Sequence, residues 1–194
     1  MVGMSSVALL AVLGTTIALP TAETPPPSPA GSRVSAVIKD VRGQSVGTLQ
    51  IEDNGSGKSL VTIAVAGLSP GFHGLHIHSR GVCDPKSIDP ATGSPFFNSG
   101  PHLGEGDHPN HTGDLPNLLV GEDGIAGASY VTNRFVVRQL LTRQGTAVVI
   151  HSKPDNMANI PARYRSDGKT GADAETLKAG DSGTRIACGV IGSR

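Results

Sequence analysis

The chain has 194 residues, enough for one ordinary domain with a tail. Its 16 acidic residues balance 16 basic ones, so charge gives no general reason to expect a nucleic acid partner or an anionic membrane surface. With 26 Gly, 14 Pro and 3% aromatic residues, the composition favours strands and turns over helices.

The N-terminal segment has the features of a targeting sequence. Residues 7–19 form an apolar run that suits the core of a signal peptide and is short for a membrane span. We therefore expect a targeting segment over residues 1–22, a Pro-rich linker over 23–32 and a folded domain over 33–194 that does not insert into a membrane. Export to the cell envelope, a periplasm-like space or the exterior follows, with an uncleaved membrane anchor as the alternative.

Short apolar runs, several of them alternating with polar residues, predict about eight strands and an antiparallel Greek-key sandwich or flattened barrel. The predicted strands cover residues 33–41, 47–53, 60–66, 71–78, 117–120, 127–132, 145–151 and 185–191. Residues 136–142 fit a short helix or a connection. Two polar stretches, 80–116 and 152–184, are too long for simple connectors, so we expect them to be functional loops.

The histidines are concentrated in the middle of the chain. All seven lie between His73 and His151. His76 and His78 stand two apart on a predicted strand, so their side chains project to the same face and form a chelating pair. Such a pair occurs often by chance, so a metal site is predicted only if other parts of the chain supply further ligands.

The other histidines extend this pair into two donor sets. The first long loop contributes three histidines and an aspartate, a closed four-ligand set that suits structural zinc and would order the loop. Its members are His102, His108, His111 and Asp114. The second set, on strand ends, is all imidazole and suits copper, zinc or iron. Its members are His76, His78 and His151. His102 lies between the sets in sequence and could bridge two metals.

The cysteine count fits an exported protein. Cys83 and Cys188 are the two cysteines of the chain, and an even number in an oxidising compartment favours one disulfide. Two buried thiols are the alternative.

Five segments of the chain resemble the copper/zinc superoxide dismutases. They are GFHGLHIH (71–78), GPH (100–102), HTGDLPN (111–117), VVIHSKPDN (148–156) and GTRIACGVIG (183–192). The resemblance extends over nearly the whole predicted domain. The signal-like N-terminus, Cys83 soon after the histidine strand and NMANIPARY (156–164) are most similar to the exported bacterial, actinobacterial-type branch.

The resemblance implies roles for individual residues. Copper would be held by His76, His78, His102 and His151, and zinc by His102, His108, His111 and Asp114. Asp155 would link ligands of the two metals, and Cys83 would pair with Cys188. Arg185 would stand beside copper and attract the anion, as a fixed cation should. Glu175 and Lys178 match charged positions of the family's electrostatic loop, and His73 matches a structural position.

The implied activity is dismutation of superoxide at a redox-cycling copper, with superoxide as the small-molecule substrate. The segment from His102 to Asp114 is compressed relative to better-known members, and this is the main departure from the family pattern. Two alternatives stay open: a copper-binding or buffering module without turnover, and a copper-delivery protein, which would usually carry extra cysteine pairs. A homodimer is open as well, because no sequence feature fixes the oligomeric state.

Overall fold

The structure, a computed structural model, describes residues 32–166 and 168–192. The predicted targeting segment and nearly all of the predicted linker lie outside these residues. This described part of the chain contains eleven strands: β1 Arg33–Asp40, β2 Ser45–Asp53, β3 Ser59–Ala66, β4 Gly71–His73, β5 Leu75–His78, β6 Leu118–Val120, β7 Ile125–Thr132, β8 Thr146–His151, β9 Arg165–Ser166, β10 Lys169–Thr170 and β11 Arg185–Ile191. The helices are a 3-10 turn at Phe97–Ser99, α1 Val137–Leu140 and α2 Ala174–Ala179.

Seven strands form one curled antiparallel sheet in the order β5-β8-β11-β1-β2-β3-β7. A small sheet of β4 and β6 lies beside β7 and continues the barrel on that side. The predicted all-β antiparallel architecture is therefore confirmed. Among the described residues, no helix has the length and apolar character needed to cross a membrane.

The alternation read from the sequence places the core correctly. Along β3, residues Val61, Ile63 and Val65 are buried while their neighbours are exposed, and Leu49 and Ile51 of β2 face the same interior. Such burial of aliphatic side chains is the main force holding the two sides of the barrel together.

The predicted strand 71–78 is interrupted at Gly74. The Gly74 N–H donates to the Lys153 carbonyl at 2.8 Å, so it leaves the sheet ladder. A Cβ at this position would lie 2.7 Å from the Ser182 Cβ, so only glycine lets the second long loop approach this closely. As a result β4 pairs with β6, whereas β5 pairs with β8.

Strand β8 is buried on both faces because the first long loop covers its outer side. Val148 and Ile150 belong to the main core. Ala147 and Val149 pack outward against Phe96 and the cysteines. The disulfide between Cys83 and Cys188 is present, with its Cα atoms 5.6 Å apart, and it ties the loop to β11.

Candidate metal centre

Four histidines from three parts of the fold meet at one end of the barrel. His76 and His78 come from β5, His151 ends the adjacent β8, and His102 reaches the site from the first long loop. A backbone bridge between His78 and His102 fixes the loop against the strand. One nitrogen of each ring lies within 4.8 Å of those of the others, and all four residues are buried.

Hydrogen bonds on the far side of three rings leave one nitrogen of each unpaired. His76 Nε2 lies 2.9 Å from Asp155 Oδ2, and His78 Nδ1 lies 2.8 Å from the Gly100 carbonyl. His151 Nδ1 lies 3.2 Å from the Gly183 carbonyl. The opposite nitrogens, namely His76 Nδ1, His78 Nε2 and His151 Nε2, are buried without a partner. Buried unpaired nitrogens are costly, and three in one donor set fit a metal ion.

The protonation of these rings suits metal binding. Burial lowers the pKa of His76, His78 and His151 below the ordinary value for histidine. Burial also lowers the pKa of His102 to about 4, even though Asp114 acts in the opposite direction. The four imidazoles are therefore neutral near pH 7, which is the form that can coordinate a metal.

Asp114 is the centre of the second donor set. Its Oδ1 lies 2.7 Å from His102 Nδ1, and its Oδ2 lies 3.0 Å from His111 Nδ1. His108 Nδ1 lies 3.1 Å from the same Oδ2 but makes no hydrogen bond. Three imidazole nitrogens and a carboxylate thus converge, which is the donor chemistry of a tetrahedral zinc site. The structure brings together all four residues that the sequence assigns to this set.

The compressed loop that carries this set is held from outside. Arg134 Nη1 donates to the His111 carbonyl at 2.9 Å, and the His108 N–H donates to the Leu177 carbonyl at 2.8 Å. These contacts come from the segment after β7 and from α2. The short loop therefore takes its shape from two distant parts of the chain.

Asp155 connects the two sets. Its Oδ2 faces His76, and its Oδ1 lies 2.7 Å from His108 Nε2. The side chain of Asn117 donates to the Asp155 carbonyl and accepts from the Asp155 N–H, both at 2.8 Å. Burial alone would raise the pKa of Asp155, but the contacts with His108 and His76 lower it well below the usual range. An ionised carboxylate thus fixes one ring of each set.

Arg185 begins β11 next to the all-histidine set. Its guanidinium donates to the Phe96 carbonyl at 2.7 Å, the Ser99 hydroxyl at 3.2 Å and the Gly100 carbonyl at 2.9 Å. The side chain lines an open cleft, called here the inner cleft, together with His102 and His151. Glu175 and Lys178 of α2 line the inner cleft as well. Lys178 Nζ lies 3.8 Å from Glu175 Oε2, which makes a weak, exposed ion pair.

Comparison with known proteins decides the family. The family model for copper/zinc superoxide dismutase (SODC) matches residues 45–191. Superoxide dismutase [Cu-Zn] of Mycobacterium tuberculosis is 42% identical over 178 residues, with 86% of this chain and 72% of that protein covered. The chain belongs to the copper/zinc superoxide dismutase family.

Further members and solved structures agree. Superoxide dismutase [Cu-Zn] of Mycolicibacterium paratuberculosis is 40% identical over 201 residues, covering 93% of this chain and 86% of that protein. The Cu/Zn superoxide dismutase structure from Brucella abortus matches with a TM-score of 0.63 at 22% identity, over 83% of this chain and all of the other, and supports the fold. The clock protein EA4 structure matches with a TM-score of 0.65 at 26% identity, over 87% and 99% of the two chains.

Membership of this dismutase family implies copper and zinc, and the donor sets fit both ions. The neutral all-imidazole set with its unpaired nitrogens suits copper. The imidazoles of His102, His108 and His111, whose Nδ1 atoms lie 2.7–3.1 Å from the Asp114 carboxylate, suit zinc. His76 and His102 both belong to the two clusters of donor atoms that lie within 4.8 Å of one another, and His102 is the one of the two whose Nδ1 faces Asp114 at 2.7 Å.

His73 takes part in neither set. Its Nδ1 lies 2.7 Å from the His151 carbonyl and its Nε2 lies 2.8 Å from the Ser69 carbonyl. The ring of His73, at the end of β4, therefore joins the segment before β4 to the end of β8 and supports the backbone of His151. This matches the structural role expected from the sequence.

The sequence reasoning missed the residues that hold the site from behind. Asn117 ends the HTGDLPN motif, but nothing in the sequence indicates that its side chain contacts Asp155. The carbonyls of Phe96 and Gly100 carry no side-chain signal at all, since any residue could supply them. Asp89 also lines the inner cleft, and no motif or spacing in the sequence marks it as a site residue.

Proposed function

We propose that this dismutase family member converts two superoxide anions and two protons into dioxygen and hydrogen peroxide, with copper on His76, His78, His102 and His151. The observation that carries the proposal is the set of unpaired buried nitrogens on His76, His78 and His151, beside an open cleft that contains Arg185. Copper supplies the one-electron chemistry when bound, because it has two accessible oxidation states and zinc does not.

Arg185 is proposed to bind the substrate. Superoxide is a small anion, and a guanidinium fixed by three acceptors attracts it without first having to be ordered. The same fixed position would orient the anion toward His102 and His151, which line the same cleft. Orientation of this kind lowers the barrier because the entropy of positioning is lost on binding.

His102 is proposed to supply a proton as well as a donor atom. Its Nδ1 faces Asp114, which leaves Nε2 for the cleft side of the ring. Nε2 would hold copper or, when it does not, would carry a proton that it can pass to the reduced oxygen species that becomes peroxide. His108, His111 and Asp114 would hold zinc, and with it they would keep the His102 ring in place.

The Arg185 role can be tested with a matched pair of variants. Arg185→Ala should bind copper and zinc normally but lose about tenfold or more in the superoxide rate constant at low salt, since local anion concentration falls. Arg42→Ala removes the same charge from an exposed turn at Asp40 and should leave the rate unchanged. Metal content by mass spectrometry and superoxide consumption by pulse radiolysis measure both outcomes. An Arg185→Ala rate equal to that of the native protein across an ionic-strength series would contradict the role.

Metal loading tests the activity itself. Protein loaded with about one copper and one zinc per chain should consume superoxide, whereas metal-free protein should not. Copper bound tightly without superoxide consumption would instead support a copper-buffering module. Copper alone would indicate that the short loop does not close a zinc site.

Export from the cytoplasm is part of the proposal. The disulfide between Cys83 and Cys188 favours an oxidising compartment, and the apolar run at residues 7–19 has the length of a signal-peptide core. Residues 1–22 would direct export, and residues 33–194 would form the catalytic domain. A homodimer and the absence of a nucleic acid partner stay predictions.

A further inference from the structure

We propose that Asp89 is a specificity-determining residue that disfavours multivalent anions in the cleft beside Arg185. This inference rests on the proposed function, because it concerns the path by which superoxide reaches the metal centre. The carboxylate belongs to the polar segment between Cys83 and Gly100, where no catalytic residue was expected.

Asp89 stands where two clefts meet. The inner cleft is lined by Asp89, Lys178 and Arg185 together with the metal-site histidines. A second cleft, called here the outer cleft, shares the same three residues and adds Arg80 and Phe97. An anion in either cleft is therefore exposed to the charge of Asp89.

The Asp89 carboxylate is fixed relative to Arg185 by the local backbone. Its Oδ1 accepts a hydrogen bond from the Ala91 N–H at 2.9 Å. The Asp89 N–H donates to the Ser94 carbonyl at 2.8 Å, and the Ser94 hydroxyl accepts from the Arg185 N–H at 2.9 Å. The turn that carries the negative charge is thus docked on the residue that carries the positive one.

The carboxylate is ionised and acts at a distance. The hydrogen bond from Ala91 lowers the pKa of Asp89, with further lowering by Thr92 and by the charges of Lys178 and Arg185. None of the ion pairs within 4.0 Å in the described part of the chain includes Asp89. Its charge therefore opposes the cleft cations without being neutralised by one of them.

The balance of charge explains why such a residue would discriminate. The two clefts together are lined by three cationic and two acidic side chains, which gives a net charge of +1. Removing the charge of Asp89 raises this net charge to +2. The cations are Arg80, Lys178 and Arg185, and the acids are Asp89 and Glu175. Coulomb energy scales with the charge of the anion, so a dianion is repelled by Asp89 with twice the free energy of a monoanion. Superoxide, a monoanion, is penalised least.

The test compares Asp89→Asn with a control on the same loop. Asparagine keeps the Oδ1 acceptor for Ala91, removes the charge and replaces the second carboxylate oxygen by an NH2 group, a change that the control shares. Asp84→Asn is the matched control, because Asp84 is exposed, accepts from the Lys86 N–H at 2.9 Å in the same kind of turn and lines neither cleft. Asp89→Glu keeps the charge and should behave like the native protein.

Calorimetric titration of the metal-loaded proteins with nitrate and with sulfate measures the effect without turnover. Compared with the native protein, Asp89→Asn should bind nitrate about two- to threefold more tightly, and its gain in sulfate affinity should be about the square of that factor. Asp84→Asn should bind both anions with native affinity. The superoxide rate constant at low salt should rise by about the nitrate factor. Thermal unfolding of each variant checks that the fold is intact.

Equal changes for nitrate and sulfate, or equal affinities in the Asp89→Asn and Asp84→Asn variants, would overturn the inference. If Asp89→Asn did not fold, an Asp89→Glu variant with altered anion affinities would overturn it as well. Failure of the proposed function would look different. In that case the native protein would not consume superoxide, and the valence-dependent change in anion affinity would persist.

Discussion

Replacing Asp155 by asparagine should weaken both metal sites at once, because one carboxylate orients a ring in each. The two oxygens accept from His76 Nε2 at 2.9 Å and from His108 Nε2 at 2.7 Å. Asparagine offers one oxygen, so one of the two rings would face an N–H group instead of an acceptor. That ring would have to carry its proton on Nδ1, which is the nitrogen that the metal needs.

The size of the effect follows from the hydrogen bond that the substitution removes. A hydrogen bond to a charged group contributes about 1.5–3 kcal/mol. Removing one such bond corresponds to about a 10- to 100-fold loss of affinity for the metal on the misoriented ring, in line with residues that orient metal ligands elsewhere. The other ring keeps an acceptor but no longer faces a negative charge, so its metal should be weakened by a smaller factor.

Competition with chelators of known affinity, followed by absorption, gives both dissociation constants for the native protein and the variant. Asp181→Asn is the control, because Asp181 lies in the same loop and accepts from Asn156 at 2.6 Å and Thr176 at 2.8 Å without contacting an imidazole. Copper and zinc affinities within twofold of native in a folded Asp155→Asn protein would refute the reasoning. An equal loss in Asp181→Asn would show that the loop, rather than the ring orientation, is responsible.

Two further predictions concern the metal-free protein. Replacing both Cys83 and Cys188 by alanine should lower the free energy of unfolding by about 4–5 kcal/mol, as expected for a cross-link 105 residues apart, and a urea midpoint that falls by less than about 1 M would contradict this. Burial alone would lower the pKa of His108, but Asp114 and Asp155 outweigh it and raise the pKa to about 9. The stability due to His108 is therefore fully present below about pH 6.5 and is lost as the pH rises through about 9. Zinc binding at pH 7 should release about one proton more than at pH 10, counted by calorimetry in buffers of different ionisation enthalpy, and equal release at both values would argue against a protonated His108.

Much of the fold could be predicted because sheets encode their faces in alternation. The burial of Val61, Ile63 and Val65 follows directly from a period of two, and so does the common face of His76 and His78. The break at Gly74 could not be predicted, because it depends on Ser182 and Lys153 from a distant loop. Helix α2 was missed for a related reason, since it is six residues long and is placed by its packing on the metal loop.

The donor residues were readable for a different reason, namely that few side chains can bind a metal. Histidines confined to one part of the chain, with an aspartate three residues after His111, are the residue types and the grouping that a metal centre needs. The residues that orient the donors are chemically ordinary. A carbonyl such as that of Gly100, or an amide such as that of Asn117, acts through its position alone, and its position exists only in the folded chain.

The two donor sets differ in how they are satisfied without metal, and this difference has a consequence for assembly. In the zinc set, Asp114 accepts from His102 and His111, and one buried nitrogen, His108 Nδ1, has no hydrogen-bond partner. In the copper set, His76, His78 and His151 each keep a buried nitrogen without a partner. A buried unpaired polar group costs about 1–3 kcal/mol. The short zinc loop can therefore take its shape before metal binds. The three unpaired nitrogens of the copper set gain a partner only when an ion binds there. Copper should therefore raise the free energy of unfolding of the loaded protein by more than zinc does.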